Sequence, residues 1–136
     1  LRINAESEKQ YVHSTNHFTL NGMVQETTRR MKHSINRYEA IERRLINSLP
    51  KVSHSDIKGI LSDKMPDGVA CHHYSDTLGT LWSFIFDLNE ISADICFGSP
   101  QVNEWQRFDL SGKQNKTHYE AKLPNEQADP SIWAIV

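Results

Sequence analysis

Hydrophobic periodicity changes once along this chain, near Pro66, and that change limits the fold more than any other feature. Upstream, Met31, Ile35, Tyr38, Ile41, Leu45 and Leu49 recur at spacings of three and four. On a helix they form one apolar stripe, which predicts a helix from about Glu26 to Leu49, closed by Pro50. A shorter helix is expected from Ser53 or Ser55 to about Lys64, with Ser53 and Asp56 as a loose capping box and Ile57, Ile60 and Leu61 on its buried side. Beyond Pro66-Asp67-Gly68 the period drops to two. Trp82, Phe84, Phe86 and Leu88 share one strand face, and Ser83 and Asp87 fall on the other. After Asn89-Glu90, Ile91, Ala93, Ile95 and Phe97 alternate with Ser92, Asp94 and Cys96, so the two runs predict a hairpin.

Further strands are expected at Gln10–Phe18 and Val69–Tyr74, with Trp105–Leu110 as an edge strand. Asn21-Gly22 is read as a turn. The order predicts an α+β fold, an antiparallel sheet with both helices on one face. Leu81 and Ile85 interrupt the polar set of the main strand, so the second sheet face needs a cover as well. Residues 1–110 form the folded unit. In 111–136, Ser111–Pro130 is a polar excursion or tail, and apolar Ile132–Val136 offers a short terminal strand.

A chain of 136 residues makes one modest domain. Its 38% hydrophobic content is low for a self-sufficient core, which implies that something outside the chain completes it. A net charge of −2 gives no broad attraction to nucleic acid or to an anionic membrane. No apolar run reaches membrane-spanning length. Leu1–Gln10 lacks the layout of a signal peptide, and the compartment stays open. Two cysteines, Cys71 and Cys96, are too few for a disulfide scaffold and read as small buried side chains. Cys71-His72-His73 resembles a metal cluster, but neighbouring strand residues point to opposite faces and cannot converge on one ion. No metal and no cofactor is expected.

Five short motifs follow in order: Thr15-Asn16-His17-Phe18, Ser34-Ile35-Asn36-Arg37, Ile60-Leu61-Ser62-Asp63 before Cys71-His72-His73, Thr80–Asp87, and Phe97-Gly98-Ser99-Pro100. Over Tyr11–Leu110 this series resembles the C-terminal half of the choloylglycine hydrolase and isopenicillin N acyltransferase group, which includes bile salt hydrolases and penicillin V acylases. The resemblance implies a four-layer sandwich, helices outside and two antiparallel sheets inside. It also implies amide hydrolysis or acyl transfer by an N-terminal cysteine, whose own α-amino group is the base.

By the same resemblance, Asn16 matches the asparagine that donates its amide to the oxyanion, and Arg37 matches the helix arginine of a Ser-x-x-Arg pattern. The guanidinium keeps its charge, so it can hold a thiolate or a substrate anion. Each residue also has a plain structural reading. A strand-end asparagine caps turns, and Arg30, Arg37 and Arg44 recur every seven residues, as on a solvated helix flank. His17 and Phe18 are expected to line the acyl pocket or simply to pack.

Leu1 is no nucleophile, and neither Cys71 nor Cys96 matches the family position. The Asp and Arg that flank the family nucleophile also have no counterpart. The chain is therefore expected to be one half of an enzyme, inert alone, with an N-terminal half of the same protein as its partner and an acyl-amide small molecule as substrate. Without that half, it is expected to form a homo-oligomer. Two other readings stand beside this: a degenerate relative kept as a binding or assembly domain, and an unrelated small α+β interaction module.

Overall fold

The computed structural model describes residues 11–19, 21–24, 30–112, 116 and 118–136. The predicted stripe becomes helix α2, Lys32–Ser48, and the earlier residues assigned to it from sequence (26–29) lie outside the described residues. Ser53 starts α3, His54–Ser62, with the full reciprocal capping box: Ser53 Oγ accepts from Asp56 N, and the Asp56 carboxylate accepts from Ser53 N at 2.8 Å. The two helices pack together. Arg44 Nη1 meets Asp63 Oδ2 at 2.6 Å across them, and Ala40, Leu45 and Ile60 are buried.

Strand β3, Trp82–Asp87, pairs antiparallel with β4, Ser92–Phe97, in the predicted hairpin. Strand β5, Trp105–Asp109, adds the expected edge, giving the order β3-β4-β5. The Phe97-Gly98-Ser99-Pro100 motif ends β4 on a left-handed residue. Gly98 has φ +81°, and a Cβ there would lie 2.5 Å from Asn103 Nδ2. The fold is α+β with antiparallel pairing throughout the named strands.

Four local expectations need correction. Residues 11–18 form no strand; they lie over the start of α2, where side-chain bonds to Ser34 replace a ladder. Asn21–Val24 is one helical turn, α1, where the sequence suggested a turn at Asn21-Gly22. Of Val69–Tyr74 only His72–His73 (β1) is strand, and its partner is Leu78–Gly79 (β2) in a separate small sheet. The cause is local: Tyr74–Asp76 winds into a 3-10 turn and Thr77 takes φ +62°, so the chain doubles back at once. Ile91 leaves the β4 pattern because it sits in the hairpin turn with φ +48°.

The sheet presents its polar face to the helices. Asp94, only 4% exposed, lies 2.6 Å from Lys58 Nζ of α3. His54 Nε2 is 3.4 Å from the same oxygen, within ion-pair reach but outside hydrogen-bond geometry. Lys58 also sits 5.2 Å from the centre of the Trp105 ring. The opposite, apolar face is open: Trp82 is 62% exposed, Phe84 51% and Phe86 55%. Tyr119 covers one end of it, stacked 4.6 Å from Phe97.

Residues 118–136 lie along the body. Asn103 bonds both Lys122 O and Lys122 N, and Glu126 meets Lys64 Nζ and His72 Nδ1. The final residues pair with the approach to α2 at Met31↔Ile135, and not with a sheet edge.

Removing Lys58 strands the buried Asp94 carboxylate. Lys58→Met is expected to lower stability by about 3 kcal/mol, the low end for breaking a buried pair, since the Lys58 side chain is itself a third exposed. Adding Asp94→Leu should recover most of the loss. Urea denaturation checks this, and a single variant within 0.5 kcal/mol of the parent, about the surface-substitution level, contradicts it.

Candidate active site

Ser34, in the first turn of α2, fixes the segment that carries Asn16. Its side chain is buried, and its Oγ accepts from Asn16 N at 2.8 Å and donates to Thr15 Oγ1 at 3.1 Å. Thr15 Oγ1 in turn donates to Ser34 O at 2.9 Å. Arg37 stands three residues further on, on the same face of the helix. Its Nη2 donates to Asn16 Oδ1 at 2.7 Å, so α2 holds both the backbone and the side chain of Asn16.

The chemistry of the pair fixes its orientation. A guanidinium has donors only, so the Asn16 atom facing it is the oxygen, and the amide nitrogen is turned away. Among the described residues Nδ2 has no hydrogen-bond partner. Arg37 Nε also donates to His33 O at 3.2 Å, and Nη2 lies 3.3 Å from His33 Nδ1. By the same logic that ring nitrogen accepts, which makes His33 neutral with its proton on Nε2. Burial, and then Arg37, hold the His33 pKa below its ordinary value.

Arg37 has no carboxylate within ion-pair range among the described residues. Burial lowers its pKa from the ordinary value without discharging it. Arg44, seven residues on, is spent on Asp63. Of these two, only Arg37 lacks a counter-charge among the described residues.

Asn16 and Arg37 border an open cleft of about 560 Å³. Its other walls are mainly apolar: Ile41 and Leu45 from α2, Ile57, Ile60 and Leu61 from α3, with Val12 and Val69. A cleft of this size, with apolar helix walls beside His13, Ser14, Thr15, Asn16 and Arg37, suits a small molecule with an apolar group and a polar bond to be held.

His17 and Phe18 do not line this cleft. His17 Nδ1 is 2.9 Å from Ser34 Oγ, and its ring stands edge-on to Tyr38 at 5.4 Å. Burial first, then Arg30 and Arg37, lower its pKa. Phe18 is about half exposed. The sequence reading gave no role to Ser34 or His33, although Ser34 stands in one of its motifs and His33 precedes Arg37 by four residues, one helical turn.

The cysteines are poorly placed for nucleophilic work. Cys71 Sγ donates to Leu78 O at 3.2 Å, and burial pushes its thiol up against the opposing pull of Arg37. Cys96 lies buried in β4 and is also pushed up by burial. A thiol with a raised pKa is a weak nucleophile near neutral pH. His72 and His73 both turn to the C-terminal segment, through the Glu126 carboxylate and Glu126 O.

A family model described as acyl-coenzyme A:6-aminopenicillanic acid acyl-transferase matches residues 2–102. No curated protein and no solved structure matches the chain. The matched region takes in the Asn16 segment, both long helices, the cleft between them and the hairpin through Phe97–Pro100, which is well over half the sequence. The chain belongs to the acyl-coenzyme A:6-aminopenicillanic acid acyl-transferase family, a member of the N-terminal-nucleophile hydrolase group.

Proposed function

We propose that this chain supplies the oxyanion-stabilising part of a cysteine N-terminal-nucleophile amidohydrolase or acyltransferase that acts on linear amide C–N bonds. One observation carries the reading. Arg37 grips Asn16 by its oxygen at 2.7 Å, which leaves the amide N–H groups, unpartnered among the described residues, beside a largely apolar cleft. Such a donor favours the transition state because it needs no reorganisation as charge appears on the carbonyl oxygen. In the reaction, a thiolate adds to the carbonyl, the tetrahedral oxyanion collapses, and the C–N bond breaks with the amine leaving protonated. Water or an acceptor amine then takes the acyl group from sulfur. The cleft residues Ile41, Leu45, Ile57 and Ile60 would take the apolar part of the acyl group.

The nucleophile in this reading comes from outside the 136 residues, since both cysteines are buried with raised pKa values. The exposed face of Trp82, Phe84 and Phe86 is the natural seat for a second sheet, because soluble proteins rarely leave large apolar patches open.

Two outcomes test the site. In the complete protein, Asn16→Ala should lower kcat by roughly a hundredfold or more, the usual loss for one oxyanion donor. Asn16→Asp should be at least as slow, yet its melting temperature should hold or rise, because the new carboxylate meets Arg37 at hydrogen-bond distance. A near-normal kcat in either variant contradicts the assignment. The second outcome concerns the purified 136-residue chain, which should show no turnover of acyl-amide substrates. Turnover that Cys71→Ala or Cys96→Ala abolishes would overturn the placement of the nucleophile.

The open face generates a third. By sedimentation velocity the chain alone should self-associate, and Phe84→Thr with Trp82→Thr should weaken that association without lowering stability. A monomer at concentrations of tens of micromolar would show that the face needs no cover.

A further inference from the structure

Helix α2 starts without a side-chain cap: Met31 holds the N-cap position and offers none. An uncapped helix start leaves backbone amides to be satisfied elsewhere. Here the last residues of the chain take up the first of these amides and pair with the approach to the helix. Lys32 N donates to Ala134 O at 2.9 Å, Val136 N donates to Arg30 O at 2.9 Å, and Met31 pairs antiparallel with Ile135. A 3-10 turn, Pro130–Trp133, delivers this stretch, and Asp129 caps it by accepting from Ser131 N at 2.8 Å. The turn also places the Trp133 ring edge-on against His33, with centroids 5.6 Å apart and planes at 74°.

His33 is the residue that steadies Arg37 from behind. Its carbonyl accepts from Nε at 3.2 Å, and its Nδ1 lies 3.3 Å from Nη2. The contacts run in series: Trp133 on His33, His33 on Arg37, Arg37 on Asn16. Residues 130–136 lie beyond the part of the chain that the family match covers, so membership assigns them no role.

We propose that the C-terminal segment Pro130–Val136 is a brace for the Asn16–Arg37 pair, with Trp133 as a positioning residue that keeps His33 Nδ1 turned toward the guanidinium. The catalytic consequence rests on reading that pair as the oxyanion donor. The brace itself is a matter of geometry. The pairing of 134–136 with 30–32 sets where α2 begins, and the indole blocks the space into which the imidazole would otherwise swing. Loss of the indole frees the ring, and the guanidinium then loses one of its two contacts with His33. The carboxamide of Asn16 is consequently less well aimed, while substrate contacts with the cleft walls are unchanged.

The test uses Trp133→Ala and Trp133→Phe in the complete protein, labelled with nitrogen-15. Histidine ring spectra report the tautomer of His33, and the Nη–Hη signals of Arg37 report its hydrogen bond to that ring. In Trp133→Ala the His33 ring should lose its fixed Nε2-protonated form, and the Arg37 Hη protons should exchange faster with water. Trp133→Phe keeps an edge-on ring and should restore most of both signals. Kinetically, Trp133→Ala should lower kcat by about tenfold with KM little changed, and should add nothing further in an Asn16→Ala background, as expected for two residues acting through one group. Unchanged His33 and Arg37 signals in a folded Trp133→Ala variant overturn the brace. A kcat loss that multiplies with that of Asn16→Ala overturns its route through Asn16. Should Asn16→Ala itself leave kcat normal, the oxyanion reading fails, and the nitrogen spectra still decide whether the brace exists.

Discussion

The buried carboxylate of Asp94 governs how the two parts of this molecule meet. A charge so nearly removed from water must be paired. Lys58 on α3 supplies the pairing, and His54, one turn earlier, stands 3.4 Å from the same oxygen. That demand turns the Ser92-Asp94-Cys96 side of the sheet toward the helices and leaves the aromatic side facing out. A hairpin that obeyed hydrophobicity alone would have packed Trp82, Phe84 and Phe86 against α2 and α3. With Asp94 paired to Lys58 on the helix side, the aromatic residues of the same sheet fall on the other face, where a second sheet would bury them.

The site depends on the same helices. Because α2 and α3 are joined through Ala40, Leu45 and Ile60, their adjoining residues Ile41, Ile57 and Leu61 line a cleft. Because Ser34 and Arg37 stand three residues apart, one helix face takes hold of the 11–18 segment twice, once by backbone and once by side chain. The orientation of Asn16 is thus set by donor and acceptor chemistry and not by packing. Arg37 keeps its charge in this half-buried position by facing an amide oxygen, a carbonyl and a neutral imidazole, all acceptors.

Much of the fold was legible in the sequence where the pattern is local. The α2 stripe, the Ser53/Asp56 capping box and the 82–97 hairpin depend on neighbours within a few residues, and the periods reveal them. What failed depends on distant partners or on turn geometry. The extended character of Tyr11–Phe18 is real, but a strand also needs an edge to pair with, and Ser34 captured the segment first. Val69–Tyr74 was shortened by the left-handed Thr77, a conformation no threonine advertises. At the candidate site, Asn16 and Arg37 were singled out through family motifs and not through spacing. Their hydrogen bond was not foreseen, and neither was Trp133, which reaches His33 across a hundred residues of sequence.

The central claim is that Arg37 fixes the Asn16 amide as an oxyanion donor. Its most direct test is a crystal structure of the complete protein with a slowly turned-over acyl amide bound in the cleft. The account predicts Asn16 Nδ2 about 2.7–3.1 Å from the carbonyl oxygen, the range for a working oxyanion donor, with Oδ1 still on Arg37. A carbonyl oxygen held by other groups, with Asn16 Nδ2 turned to protein backbone or to bulk water, would contradict it.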